Sequence, residues 1–254
     1  MSHLNRITVT GADDSVDPQR LAELARKYSM AEFGILFGNH SDVPRFPSPG
    51  WVNRLELAFA DFPSRRMSAH HCGRLAHDFL CNPRRSFSRS RYCARMQVNT
   101  HGTTADVDSE AFARNLAEAS RHDWQVILQL DQANDDLFEF ALHERDRQAE
   151  RLRHDGNFIN VVGLHDRSHG AGVLPPAWPS PVANGRCGYA GGLSPDNVAA
   201  ELEKIESLYA GRPDGYWIDS ETRLRSEDDS VFDLEKVEAF LARATEWAGK
   251  TGSF

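Results

Sequence analysis

The chain has 254 residues, 40% of them hydrophobic and 26% charged, which is an ordinary globular balance. A formal net charge of −8 disfavours nucleic acid as a general partner, because neutralising phosphates needs a basic surface. No run approaches the ~18 apolar residues of a membrane span, and the opening MSHLNRITVTGADD has no signal-peptide core, so the expectation is a cytoplasmic protein that engages no membrane.

Cys72, Cys81, Cys93 and Cys187 form no CxxC pair, which argues against a zinc ribbon or a disulfide framework. The arginine-rich stretch from Arg84 to Arg95 reads as a solvated loop.

Along the chain a rhythm recurs: a short β-branched or aromatic run, a loop, then an amphipathic stretch. That alternation signals βα units and a parallel sheet. The predicted strands are Ile7–Thr10, Phe33–Phe37, Arg66–His70, Ala94–Asn99, Gln125–Leu130, Phe158–Leu164, Gly188–Ala190 and Gly215–Asp219. Between them, Asp17-Pro18 opens a helix through Lys27, with Leu21, Leu24 and Ala25 as its buried stripe. Ser48-Pro49 opens the next, carrying Trp51, Leu55 and Phe59, and Asp108 or Ser109 caps one with Phe112, Leu116 and Ala119. Ser194-Pro195 starts a helix with Val198, Leu202 and Ile205 on one face, and Phe232-Asp233 begins the last. Eight strands with helices between them predict one (β/α)8 barrel spanning residues 1–254 as a single domain. Four prolines between Gly170 and Arg186 mark an irregular connection after the sixth strand.

In such barrels chemistry sits at the carboxyl ends of the strands. Those ends are polar here: Thr10, His71, His101, Gln129, Asp131, His165-Asp166, Asp219 and Glu221. Histidines and carboxylates on one rim suit general acid–base work, and a divalent metal held by His71, His101, Asp131, His165 and Glu221 is the alternative; no cofactor is otherwise expected. The segment GYAGGLSPDN places Gly191-Gly192 between a strand and a helix starting near Ser194, an arrangement suited to phosphate.

AGGLSPDNV resembles the seventh-strand phosphate motif of phosphoribosylanthranilate isomerase, and the resemblance runs in order through the C-terminal third of the chain. HDRSHGAGVLPPAW is similar to that family's sixth-strand Asp, glycine-rich loop and later Trp, here Asp166, Gly170, Gly172 and Trp178. WIDSETRLRSEDDSVFDLEKVEAFL is similar to its eighth strand and terminal helix, with Asp219 matching, and Pro44-Arg45-Phe46 to its second loop. The resemblance implies Asp166 as general acid, Arg45 on a substrate acid group, and phosphate on Gly170, Gly172, Gly191, Gly192 and Ser194. Two positions depart from the pattern. Thr10-Gly11 stands where the family has a Cys-Gly pair whose thiolate is the base, and Glu221-Thr222-Arg223 replaces a small Ser-Ser-Gly phosphate loop.

The expectation is therefore an isomerase- or lyase-like enzyme acting on a small phosphorylated or carboxylated molecule. His71 or His101 would be the base, with Asp131 as another candidate, and Thr10, Gln129, Glu221 and Arg223 would touch substrate. Metal-assisted chemistry and a non-catalytic binding barrel are the alternatives, and a homodimer is left open.

Overall fold

The computed structural model describes residues 2–38, 43–62, 66–82, 93–100, 107–121, 124–131, 134–151, 159–166, 168, 171–182 and 186–251. In chain order they form β1 (Leu4–Thr10), α1 (Pro18–Lys27), β2 (Ala31–Phe37), α2 (Pro49–Ala58), β3 (Met67–His71), α3 (Arg74–Cys81), β4 (Cys93–Val98) and α4 (Ser109–Arg121). There follow β5 (Gln125–Leu130), α5 (Asp135–Arg151), β6 (Asn160–His165), β7 (Cys187–Ala190), α6 (Val198–Ser207), β8 (Tyr216–Ser220), a 3-10 turn at Thr222–Leu224 and α7 (Leu234–Thr251). Every strand pairs in parallel with the next, and β8 returns to β1, so the sheet is a closed barrel. This is the (β/α)8 architecture, with no helix between β6 and β7 among the described residues.

Local chemistry starts the helices where expected. Asp17 caps α1, Ser48 Oγ accepts from Trp51 N at 3.2 Å, Asp108 Oδ1 accepts from Glu110 N at 3.0 Å, and Asp233 Oδ1 accepts from Glu235 N at 3.0 Å. One start differs. Ser194-Pro195 leads into a turn, and α6 begins only at Val198, because Asn197 folds back: its Oδ1 accepts from Ser194 N at 2.8 Å and its Nδ2 donates to Gly192 O at 2.9 Å. Apolar stripes such as Val198, Leu202 and Ile205, or Val237, Phe240 and Leu241, are fully buried against the sheet.

The register decides which side chains enter the barrel. Thr8 pairs with Glu32, Ser68 with Arg95, Ile127 with Val162 and Ala190 with Asp219, so these residues share the inner face. One side of the interior is apolar, built from Ile127, Val162, Leu164, Ala190 and Trp217. The other side is charged, with an ion pair at its centre. Glu32, with no exposure, accepts from Arg6 Nη1 at 2.8 Å, Thr8 Oγ1 at 3.0 Å and Arg95 Nη1 at 2.7 Å. Arg95 also donates from Nε to Gln125 Oε1 at 2.9 Å and lies 4.3 Å over the Trp217 ring.

Removing one member of this pair leaves the other charged and dry. Glu32→Ala is expected to lower the unfolding free energy by about 3–5 kcal/mol, and adding Arg95→Met should recover most of the loss. Urea denaturation of both variants checks this; a loss under about 1 kcal/mol for Glu32→Ala would mean that the pair contributes no more than an exposed one.

Candidate active site

The inner-face alternation continues past the strand ends and brings Gln97 and Asn99, Gln129, Leu164 and Asp166, Ala190 and Gly192, Asp219 and Glu221 to one mouth. With Ser168, Gly172, Thr222 and Arg223 from the loops, they line a cleft enclosing ≈ 490 Å³ of empty space, part of it open to solvent.

Asp219 is the deepest carboxyl group there, 6% exposed. Thr10 Oγ1 donates to its Oδ1 at 2.7 Å. Burial pushes its pKa from 3.8 up to about 8; the Thr10 hydrogen bond opposes that rise, and the charges of Glu221, Asp166 and Glu32 add to it. Thr10, at the position where the resemblance implies a thiolate, is thus a hydrogen-bond donor to Asp219. Asp166 takes hydrogen bonds on both oxygens: Oδ1 accepts from Ser168 N at 3.1 Å and Ser168 Oγ at 2.8 Å, and Oδ2 accepts from Gln129 Nε2 at 3.3 Å.

The two histidines of β3 face opposite ways. His70 is the inner one. Gly34 across the β2–β3 pair has no Cβ, and one built there would lie 2.2 Å from Thr10 Oγ1 and 2.8 Å from His70 Nε2, so both side chains lean into that space. His70 Nε2 lies 3.0 Å from Ser68 Oγ, and burial, helped by Arg95 and His71, lowers its pKa to about 3. His71, read from the sequence as a base, points to the outer face, edge-on to Phe37, with neither ring nitrogen hydrogen-bonded and its pKa lowered to about 4 by burial. It does not line the cleft. His101 lies outside the described residues, as does Gly170. Asp131 shapes the turn after β5, where its Oδ1 accepts from Asn134 N at 3.0 Å, and it does not line the cleft either. His165 stacks near Tyr189, with ring centroids 5.3 Å apart. Among the described residues, no group of three or more His, Cys, Asp or Glu side chains is arranged to hold a metal ion.

Arg45, expected to hold a substrate acid group, is already engaged. Its Nη1 donates to Glu221 Oε1 at 2.7 Å, its Nη2 contacts Asp229 Oδ2, and its backbone N donates to Asp13 Oδ2 at 2.8 Å. Burial raises the Glu221 pKa and the Arg45 charge opposes it. Arg225, fully buried, lies 2.7 Å from both Asp13 Oδ2 and Asp229 Oδ1 and donates to Gly11 O at 2.6 Å. Among the described residues, Arg223 is the one arginine in the cleft lining; its Nε donates to Gly172 O at 2.9 Å and its side chain stays exposed.

Of the residues read from the sequence as an anion site, three glycines lie in the cleft. Gly172, Gly191 and Gly192 share the cleft wall with Arg223, all three glycines at positive φ. A Cβ on Gly192 would fall 2.3 Å from Leu174 N, so glycine is required for the β6–β7 segment to pack on this turn. Ser194, its amide occupied by Asn197, lines a neighbouring groove beside Lys236 and Arg243.

The sequence pattern gave no chemical role to Gln97, Asn99 or Ser168, and it placed Asp219 on the polar rim and in the matched motif without singling it out as the acid. The signal lay in residue spacing: Gln97 and Asn99, like Asp219 and Glu221, are two apart and so share a face. No family model matches the chain, and no curated protein matches it.

Asp219 gives a signed pH dependence. Between 3.8 and about 8 the folded protein keeps a proton that the unfolded chain has released, so folding stability falls as pH rises through that window and levels off above it. Asp219→Asn should flatten this decline, as urea midpoints taken between about pH 5 and 9 will read. An unchanged slope would mean that Asp219 titrates like an exposed carboxylate.

Proposed function

We propose that the cleft is the active site of an isomerase- or lyase-like enzyme that moves a proton on a small metabolite bearing a phosphate or carboxylate. The observation that supports it most is a pair of carboxyl groups in one cleft with unlike surroundings. Asp219 is buried and biased toward its neutral form, whereas Asp166 presents oxygens already accepting from Ser168 and Gln129. Two such groups divide acid and base roles between them.

In this reading Asp166 takes a proton from a carbon of the substrate, and Asp219 gives its proton to the oxygen or leaving group that gains the electron pair. Delivery of the Asp166 proton to the adjacent carbon, with Asp219 taking back a proton from the adjacent hydroxyl, completes an isomerisation, while departure of the protonated leaving group completes an elimination. The acid role thus passes from Asp166, where the family resemblance put it, to Asp219. Thr10 orients Asp219 and is too weak an acid to act as the base. The anionic end of the substrate would lie against Arg223 and the Gly191-Gly192 turn, where the Arg45 contact offsets the charge of Glu221.

The test is carbon–hydrogen exchange in heavy water, followed by NMR over a panel of phosphorylated and carboxylated metabolites. The active protein should incorporate deuterium into one of them. Asp166→Asn and Asp219→Asn should each slow this roughly 10²-fold or more while ligand affinity stays within a few-fold. Exchange that persists in both variants rejects the assignment, and binding without exchange in the unmodified protein makes this a binding barrel. Complementing a tryptophan auxotroph that lacks phosphoribosylanthranilate isomerase examines the family's own reaction.

A further inference from the structure

Two amides in the cleft carry acceptors that nothing satisfies. Gln97 and Gln129 are 4% and 3% exposed, both line the cleft, and neither Oε1 has a hydrogen-bond partner. The orientation of Gln129 follows from chemistry. Its other amide atom faces Asp166 Oδ2 at 3.3 Å, and because a carboxylate only accepts, that atom is Nε2 and the carbonyl oxygen is the free end. Gln97 Nε2 donates to Asn99 Oδ1 at 2.8 Å, and Asn99 in turn donates to Cys72 Sγ at 3.3 Å, which leaves Gln97 Oε1 unmatched.

A buried acceptor without a donor is a standing cost to folding, and here two occur on neighbouring strands, Gln97 level with Ile127 and Gln129 two residues further along β5. The rest of the wall sharpens the imbalance. Asp166, Asp219 and Glu221 add carboxyl oxygens, while the hydroxyls of Ser168 and Ser220 are already spent on Asp166 Oδ1 at 2.8 Å and on Leu193 O at 2.6 Å. The donors of the lining, Arg223 and the Gly191-Gly192 turn, lie on the β7–β8 side, and among the described residues none reaches Gln97 Oε1 or Gln129 Oε1.

We propose that the cleft recognises a ligand end bearing several N–H or O–H donors, an amine or a row of hydroxyls, with Gln97 and Gln129 as the receiving groups. This rests on the cleft being the ligand site argued above. The donor end lies over β4 and β5, beside Asp166, and the anionic end points to Arg223 and the Gly191-Gly192 turn on the β7–β8 side. A ligand with unlike ends therefore enters in one orientation. A molecule of the same size without donors leaves both acceptors unpaired and is rejected for that reason.

Titration calorimetry with three probes of similar size tests this: phosphoethanolamine offers N–H donors, glycerol phosphate offers O–H donors, and propyl phosphate offers neither. At least one of the first two should bind roughly ten-fold or more tightly than propyl phosphate. Gln97→Met and Gln129→Met should each erase that margin yet melt within about two degrees of the unmodified protein, since each removes an unmatched acceptor at similar volume and that gain offsets the lost donor to Asn99 Oδ1 or Asp166 Oδ2. A purely structural glutamine would instead melt several degrees lower on substitution, and that result overturns the proposal. So do equal affinity for all three probes, a margin that survives both substitutions, binding of none of them, or magnesium ion alone binding with the same dependence on Gln129. The catalytic reading is separable: absent carbon–hydrogen exchange with the margin intact removes the reaction and leaves the recognition standing.

Discussion

Thr10 and Asp219 meet at 2.7 Å although 209 residues separate them, because the first and last strands pair to close the barrel. Closure makes the interior one enclosed volume, and the parallel register sends every second side chain into it. A carboxyl group in that volume meets two opposing influences. Removal from water favours the neutral acid, and a single hydroxyl donor favours the anion only weakly; with Glu221 and Asp166 close by, the neutral acid wins. Deeper in the barrel Glu32 has Arg95, Arg6 and Thr8 as partners. One inner face thus holds a carboxylate matched by cations and, nearer the mouth, a carboxyl group without one.

Around the mouth, three loops are tied by alternating charges. Asp13 follows β1, Arg45 follows β2, and Glu221, Arg225 and Asp229 follow β8; Arg225 joins Asp13 to Asp229, and Arg45 joins Asp229 to Glu221. Arg45 and Asp229 both hold positive φ, a strain of about 1–3 kcal/mol each that persists only where neighbouring contacts over-determine the backbone. The network fixes Glu221 at the edge of the cleft and offsets its charge, which lets a carboxylate stand on a wall shared with the Gly191-Gly192 turn.

Much of the fold was legible because βα alternation, Ser and Asp caps and apolar stripes are local signals. The strand bounds shift by a residue or a few, and two helices escaped notice: α3 follows Gly73 without a side-chain cap, and the buried apolar residues of α5 among those described, Leu137, Phe138 and Ala141, all lie in its first half. The site was less legible for two physical reasons. In the pair His70-His71 a single residue of register decides which ring enters the barrel, and composition does not carry that information. Arg45 finds Glu221 and Asp229 at separations of 176 and 184 residues, so its commitment to them is invisible without closure. The glycine pair stood out in the sequence as an anion site, and what the structure shows of Gly192 is a packing need, the close approach of Leu174.

The account stands or falls on the protonation of one buried carboxyl group. Carbon-13 NMR of the aspartate side-chain carboxyls, with Asp219→Asn used to assign the resonance, reads it directly. A titration midpoint near the value of about 8 that burial imposes is the expected result. A midpoint close to the ordinary 3.8 would show Asp219 to be a hydrated carboxylate and would contradict the division of acid and base roles drawn from it.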